Sequence, residues 1–322
     1  MQIRDRFLDY LKGVSIYLVA IGHCFNQEDY EHPYLAMFSM PLFMAISGYF
    51  FYPSVEKVNV KDYIIKKFFR LYLPSLVWGT IGAFIMILFK MYTSKSIDGF
   101  YILHLVFVGL WFLTTLFILQ VIGALIHKCF YKLPYVLLCW LLVWLIVCFT
   151  PNVFVLKYVE AMLPFFVLGF VWKRMKNDIP VFVGLISIIV FYVVSRFFFW
   201  SDTMYSMDVD CFSFSYLKST ILRLVAGLSG IISVLWLVRL LYRFCVRYIK
   251  TLEGVVVYIG TVTLPIYALH QKFLIPLRFL PFELPLSIRL TLLPLIIVAL
   301  SIVFYLLLSK VRLLRMILFG EK

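Results

Sequence analysis

Clusters of charged residues divide this sequence into long apolar runs, and no other feature limits the possible folds as strongly. Each run has about 17 to 25 residues, which is the length of a helix that spans the hydrocarbon core of a bilayer. Hydrophobic residues make up 64% of the chain and charged residues only 14%, whereas a soluble domain is close to half apolar. The pattern therefore predicts an all-α fold, a polytopic membrane helix bundle.

The apolar runs predict about ten transmembrane helices. The runs cover residues 8–24, 33–52, 72–92, 101–126, 134–149, 155–172, 180–200, 219–238, 254–274 and 284–308. The fifth and sixth runs are short and lie close together, so a count of about eight helices is the main alternative. We expect a single integral-membrane domain over residues 1–322, with no appended soluble domain.

The basic residues indicate how these helices are oriented. The formal net charge is +14, and most of the 30 Lys and Arg residues fall in segments that share one side of the membrane if the N-terminus is cytoplasmic. The first segment on the opposite side carries acids instead, at Glu28, Asp29 and Glu31. The positive-inside rule then places both termini in the cytoplasm. We expect a multi-pass protein of the inner (plasma) membrane whose basic residues anchor loops and do not bind nucleic acid.

The first apolar run carries ionisable residues, which are costly inside a membrane. Arg6, Asp9 and Lys12 recur at a spacing of about three residues and so share one side of a helix. A local ion-pair ladder is the structural explanation for Arg6 and Asp9. His23 lies about three turns after Lys12, roughly 16 Å further along nearly the same face. Either His23 bonds a neighbouring carbonyl, or one face carries a cation and an imidazole for a functional reason.

A second histidine is predicted at a similar height. His270 lies about as far into the ninth run as His23 lies into the first, so both should reach a depth of about 22 to 24 Å. Pro265 makes the height of His270 less fixed. Two imidazoles at one level predict a shared chamber, and an interfacial position of His270 near the outer surface is the alternative. The histidines show no i, i+4 pair, so we predict no metal site.

The first run resembles the start of the membrane-bound acyltransferase 3 family, which has an Asp, a basic residue, an apolar stretch and then a Gly-His pair. Here Lys12 stands where the family usually has arginine, and Gly22 precedes His23. Further segments that resemble the family occur in order along the chain: a Ser-Gly helix at 40–49, a basic-x-x-Arg motif at 67–70, Trp-Phe-Leu at 111–113, and the helices around 163–169 and 260–270.

The resemblance implies transfer of an acyl group, usually acetyl, from acyl-CoA to a hydroxyl of a carbohydrate. Acyl-CoA is cytoplasmic, and Lys12, Lys67 and Arg70 all lie at the predicted inner mouth, where they would hold its phosphates. We predict His23 as the catalytic base because the unperturbed pKa of histidine, about 6.5, suits proton transfer. An acyl-histidine intermediate is a second route. His270 is predicted to orient His23, to bind the acceptor or to relay the acyl group.

The predicted partners are acyl-CoA as donor cosubstrate, a surface polysaccharide or its lipid-linked precursor as acceptor, and the lipid bilayer. No cofactor is expected to be bound permanently. A transporter or flippase for a lipid-linked sugar is the main alternative, since it would also place polar residues inside a helix bundle. A receptor or scaffold without catalytic activity is a third hypothesis, but it does not explain why one buried helix face carries both a cation and a histidine.

Overall fold

The fold is described from a computed structural model of the chain, in residues 5–25, 34–55, 59–92, 98–130, 132–150, 155–175, 179–203, 213–274 and 284–321. These residues form fifteen α-helices and contain no β-strand. The helices are α1 (Arg6–His23), α2 (Tyr34–Val55), α3 (Val60–Lys67), α4 (Leu73–Tyr92), α5 (Gly99–Val108), α6 (Trp111–Cys129), α7 (Leu133–Cys148), α8 (Leu156–Met175), α9 (Val181–Ser195), α10 (Phe214–Tyr248), α11 (Lys250–Thr261), α12 (Thr263–Leu274), α13 (Leu286–Leu290), α14 (Leu292–Leu308) and α15 (Arg312–Phe319). The all-α prediction is confirmed for this part of the chain.

Several helices have the length and composition of membrane spans. Within the described residues, the four stretches that are long and apolar enough to cross a bilayer are Tyr34–Phe51, Val60–Tyr92, Trp111–Cys129 and Phe214–Tyr248. Helices α5, α7, α9 and α14 are apolar but shorter. Many large hydrophobic side chains on these helices are exposed, as expected when lipid covers them. The protein is an integral membrane protein, while the count of ten spans and the orientation stay predictions.

The predicted ninth span, residues 254–274, is not one continuous helix. Helix α11 ends at Thr261, α12 begins at Thr263, and the two are bent by 83° relative to each other. Pro265 explains the break, because proline has no N–H and its ring collides with the carbonyl four residues earlier, that of Thr261. The expectation of a single helix is therefore wrong here, and the pair forms a broken span or a re-entrant segment.

The predicted fourth span, residues 101–126, also divides into two helices. Helix α5 ends at Val108, and Gly109 follows with a positive φ of 40° before α6 begins. Ser75 of α4 binds the backbone at this break: its Oγ accepts from the N–H of Leu110 at 3.0 Å and lies 3.3 Å from the carbonyl oxygen of Val108. Irregular backbone at membrane depth needs such partners, so Ser75 helps to explain where the helix breaks.

The contacts divide the chain into two units, Met1–Ile46 with Val171–Leu307 and Ser47–Phe170 with Leu308–Lys322. In the first unit, α1 packs on α11, and α9 packs on α10. In the second unit, α3 continues through a wide turn into α4, which packs against α5 and α15. That residues 1–322 form a single domain stays a prediction.

Candidate active site

The two basic residues Lys12 and Arg6 of α1 form ion pairs with different carboxylates. Lys12 pairs within the helix, with its Nζ 2.6 Å from Oδ1 of Asp9. Arg6 reaches across to α11, where its Nε and Nη2 donate to the two carboxylate oxygens of Glu253 at 3.1 and 2.6 Å. Both carboxylates are buried, and each ion pair offsets part of the cost of burying a charge.

Two glycines allow α1 and α11 to approach at backbone distance. A Cβ on Gly260 would overlap the carbonyl oxygen of Asp9 and lie 2.6 Å from its carbonyl carbon. A Cβ on Gly13 would overlap the carbonyl oxygen of Val256 in the same way. Small residues at contacts between membrane helices permit such close packing. The glycines therefore hold the charged side of α1 directly against α11.

The imidazoles of His23 and His270 lie side by side. Their ring centroids are 5.0 Å apart, and the ring planes are inclined by 46°. The side-chain amide nitrogen of Gln271 lies 3.1 Å from Nε2 of His23 and donates to it, so this nitrogen of His23 carries the lone pair. His23 is the last residue of α1, whereas His270 and Gln271 come from α12, beyond the 83° break. The fold thus joins the two histidines that the sequence placed at similar heights.

The surroundings of His270 determine which of its nitrogens carries the proton. Nδ1 lies 3.0 Å from the carbonyl oxygen of Ile266 and 2.8 Å from that of Tyr267. Because a carbonyl oxygen only accepts hydrogen bonds, Nδ1 is protonated and Nε2 of the neutral ring is an acceptor. The residue is 1% exposed, and its Nε2 is buried without a hydrogen-bond partner among the described residues. His270 is therefore anchored to its own helix through one nitrogen only.

Lys67 lies in the second unit, at the end of α3. Its Nζ is 5.0 Å from the centre of the Tyr63 ring, a cation–π contact. The buried Tyr63 is fixed in turn by its hydroxyl, which donates to Oε1 of Gln120 on α6 at 2.8 Å. Lys67 thus projects from a rigid part of α3, and its ammonium group rests on an aromatic ring.

Arg70 lies three residues further along, in a helical turn of unusual width. Residues Phe68–Tyr72 form a π turn between α3 and α4. Pro74 has no N–H to donate to the carbonyl of Arg70 in a regular α-helix, and the wider turn lets the helix continue past this point. The Arg70 side chain is exposed, which leaves its guanidinium accessible to a charged ligand.

The predicted site residues are divided between the units, with Lys12, His23 and His270 in the first and Lys67 and Arg70 in the second. Sequence analysis missed Glu253 and Gln271. Glu253 could have been found as an acid near the start of a predicted span, and Gln271 as a polar neighbour of His270. No group of three His, Cys, Asp or Glu residues that could hold a metal ion occurs in the described ranges. The catalytic and binding roles stay predictions.

A family model described as an acyltransferase domain matches residues 5–309. The chain belongs to the acyltransferase 3 family. It is therefore an acyltransferase, and the helices that carry the histidine pair lie inside the matched residues. Helix α15 follows the acyltransferase 3 match and is not part of it.

Two curated proteins whose sequences are similar to part of this acyltransferase 3 chain are both called nodulation protein NolL. The protein from Mesorhizobium japonicum is 36% identical over 88 residues, which is 24% of each chain. The protein from Sinorhizobium fredii is 34% identical over 85 residues, 23% of each chain. The matched part thus spans about a quarter of the length of these relatives. No solved structure shows significant similarity to the chain.

Proposed function

We propose that this acyltransferase moves an acetyl or another short acyl group from cytoplasmic acyl-CoA to a hydroxyl group of a surface polysaccharide or of its lipid-linked precursor. Family membership supports acyl transfer. The adjacent imidazoles of His23 and His270 carry the proposal, because they supply a group that can take the proton of a hydroxyl. The enzyme would be a multi-pass protein of the inner membrane with both termini in the cytoplasm.

His23 is the base in this proposal because its lone pair can be reached. Its Nε2 accepts a hydrogen bond from Gln271, and the Gln271 side chain is exposed. A substrate hydroxyl that replaces this amide exchanges one neutral hydrogen bond for another, at a net cost of about 1 kcal/mol or less. His270 is almost completely enclosed, so its ring positions His23 and is not the first group that a substrate meets.

The proposed reaction is a direct acyl transfer. The hydroxyl oxygen attacks the carbonyl carbon of the thioester while Nε2 of His23 takes the hydroxyl proton. The bond from the carbonyl carbon to sulfur then breaks, the sulfur takes the proton back from His23, and CoA leaves as the thiol. In the alternative route, Nε2 of His23 attacks the carbonyl carbon of the thioester, the bond to sulfur breaks, and the CoA thiolate is released. The hydroxyl oxygen then attacks the acyl carbon, the bond to Nε2 breaks, and the hydroxyl proton passes to the thiolate, which regenerates the neutral imidazole.

The donor is held through its phosphates in this proposal. Arg70 suits the role because its planar guanidinium can make two parallel hydrogen bonds to one phosphate. Lys67 adds a second cation three residues earlier. Lys12 of the first unit is assigned a similar role, but it already pairs with Asp9. A phosphate would therefore compete with a carboxylate, and we expect Lys12 to contribute less to donor affinity than Arg70 does.

The proposal is tested with His23→Ala. Loss of a general base lowers the rate by about 10²- to 10⁴-fold, so acetyl groups on the surface glycan of expressing cells should fall below detection by mass spectrometry. The variant should still insert and unfold at the wild-type temperature. His104→Ala, which changes a histidine of α5 in the second unit, is the matched control and should retain the product. Near-normal acetylation by His23→Ala would remove His23 from the mechanism.

A flippase for a lipid-linked sugar is the second candidate, because α11 and α12 form a broken helix of the kind that builds transporter binding sites. Binding of CoA separates the two functions. Thermal stabilisation by CoA that disappears in Lys67→Gln and Arg70→Gln supports the transferase. A protein that CoA does not stabilise, and that still carries labelled lipid-linked sugar across vesicles, supports the flippase.

A further inference from the structure

Helix α15 is a short amphipathic helix beyond the end of the family match. It covers Arg312–Phe319 and follows the matched segment, which stops at residue 309. Gly320 ends the helix in the left-handed conformation with a φ of 65°, and its N–H donates to the carbonyl of Met316 at 3.0 Å. The contacts of this helix are the observations from which we argue its role.

The contacts of α15 lead to α4 and to the π turn that carries Arg70. Leu318 and Phe319 are buried, and the indole N–H of Trp78 on α4 donates to the carbonyl of Leu318 at 3.0 Å. This hydrogen bond satisfies a carbonyl at the C-terminal end of α15, where the helix itself offers no donor. Helix α15 is thus docked at its C-terminal end by two buried side chains and a buried hydrogen bond.

Gly320 brings the chain into direct contact with the backbone of Arg70. A Cβ at this position would overlap the carbonyl oxygen of Arg70 and lie 2.7 Å from its Cα. Only glycine fits here, because it has no Cβ and because it adopts a positive φ without strain. The backbone of the proposed phosphate-binding arginine therefore rests on the end of α15.

Helix α15 also brings a cation to this part of the second unit. Arg315 is partly buried, and its Nε is enclosed without a hydrogen-bond acceptor among the described residues. It precedes Gly320 by about 7.5 Å along the helix axis. A guanidinium donor that is enclosed and unsatisfied is costly unless an anion binds it. Acyl-CoA presents phosphates at two places, its diphosphate and its 3′-phosphate.

We propose that α15 forms part of the acyl-CoA site: Gly320 fixes the position of Arg70, and Arg315 is a further ligand of the donor's phosphates. This inference rests on the proposed function, because it takes Arg70 as a residue that binds the donor. It adds an element outside the family match to that site. Gly320 is a positioning residue, whereas Arg315 touches the donor directly.

The experiment measures the affinity of the full-length protein for CoA in lipid nanodiscs. Gly320→Ala should weaken CoA binding about 10-fold, since one charge-assisted hydrogen-bond pair is misplaced. Gly82→Ala is the matched control, because nothing lies within 4 Å of a Cβ at that position on α4, and it should bind CoA as the wild type does. In an Arg70→Gln background, Gly320→Ala should cause no further loss, since its effect acts through Arg70.

A second pair of variants keeps the test decisive if Gly320→Ala does not fold. Arg315→Gln should weaken CoA binding by about 10-fold or more, Arg315→Lys should recover part of the loss, and the exposed Arg312→Gln should bind normally.

Equal losses in Arg315→Gln and Arg312→Gln would overturn the proposal, because they would indicate general electrostatic attraction. Wild-type affinity in both Gly320→Ala and Arg315→Gln, with loss in Arg70→Gln, would overturn it while the proposed function stands. Absence of CoA binding by the wild type would refute both.

Discussion

Replacing Gly260 with alanine is expected to force α1 away from α11 and to inactivate the enzyme. The added Cβ would overlap the carbonyl oxygen of Asp9, and it would lie 2.6 Å from the carbonyl carbon of Asp9 and 3.0 Å from the nitrogen of Gly13. All of these are backbone atoms of α1, so no rotation of a side chain can relieve the overlap. The two helices must move apart instead.

The size of the effect follows from ordinary contact distances. Carbon atoms in contact lie about 3.5 to 4.0 Å apart, so the helices must separate by roughly 1 Å near Gly260. Overpacking of this kind costs about 1 to 3 kcal/mol, whereas the higher helix propensity of alanine returns at most about 1 kcal/mol. The same displacement carries His23 with α1, and a misplacement of about 1 Å can cost roughly 10²-fold in rate.

The assay compares Gly260→Ala with Gly254→Ala on the same helix. Nothing lies within 4 Å of a Cβ at Gly254, so this control should be as stable as the wild type or slightly more stable. Thermal unfolding in nanodiscs and acetyl transfer to the surface glycan are measured for both variants. A Gly260→Ala protein with wild-type unfolding temperature and wild-type product would refute the close backbone contact between α1 and α11.

Two further predictions concern Lys12 on α1 and Gln271 on α12. Lys12→Arg keeps a positive charge beside Asp9 and should retain most of the acetylation. Lys12→Glu places a second carboxylate beside the buried carboxylate of Asp9 and should abolish acetylation. Equal activity of the two variants would rule out a role for the charge of Lys12. Gln271→Leu removes the amide that the substrate hydroxyl must displace from Nε2 of His23, so acetyl transfer should be unchanged or rise by about 5-fold or less while CoA affinity stays unchanged; a large loss of acetyl transfer by a folded Gln271→Leu protein would contradict this displacement.

The adjacency of the two histidines was predicted, but one premise of that prediction does not hold. A rise of about 1.5 Å per residue gives the height of a residue only on a straight helix, whereas His270 lies beyond the 83° break between α11 and α12. The polar character of the first run also pointed to α1, since charges inside a span need partners. The sequence did not show that Arg6 pairs with Glu253 across two helices, because that contact depends on how α1 packs on α11.

The breaks in the helices were harder to anticipate than the helices themselves. From hydrophobicity alone, α5 and α6 are predicted as one span, and so are α11 and α12, because the residues at each break are as apolar as their neighbours. Pro265 marks one break through its missing N–H, but the angle of 83° depends on tertiary packing. The other break requires both a positive φ at Gly109 and the hydroxyl of Ser75, which lies in a different predicted span.

Polar groups within these helices can be separated into structural and functional ones by asking how each is satisfied. The hydroxyls of Ser15 and Ser301 each donate at 2.7 Å to the carbonyl four residues earlier on their own helix, and so need no other partner. Nδ1 of His270 is satisfied in the same local way. Nε2 of His270 is buried and has no hydrogen-bond partner among the described residues. A buried acceptor without a donor costs about 1 to 3 kcal/mol. In the proposed reaction the attacking hydroxyl donates its proton to Nε2 of His23, so the missing donor for His270 would have to be a second hydroxyl of the carbohydrate acceptor.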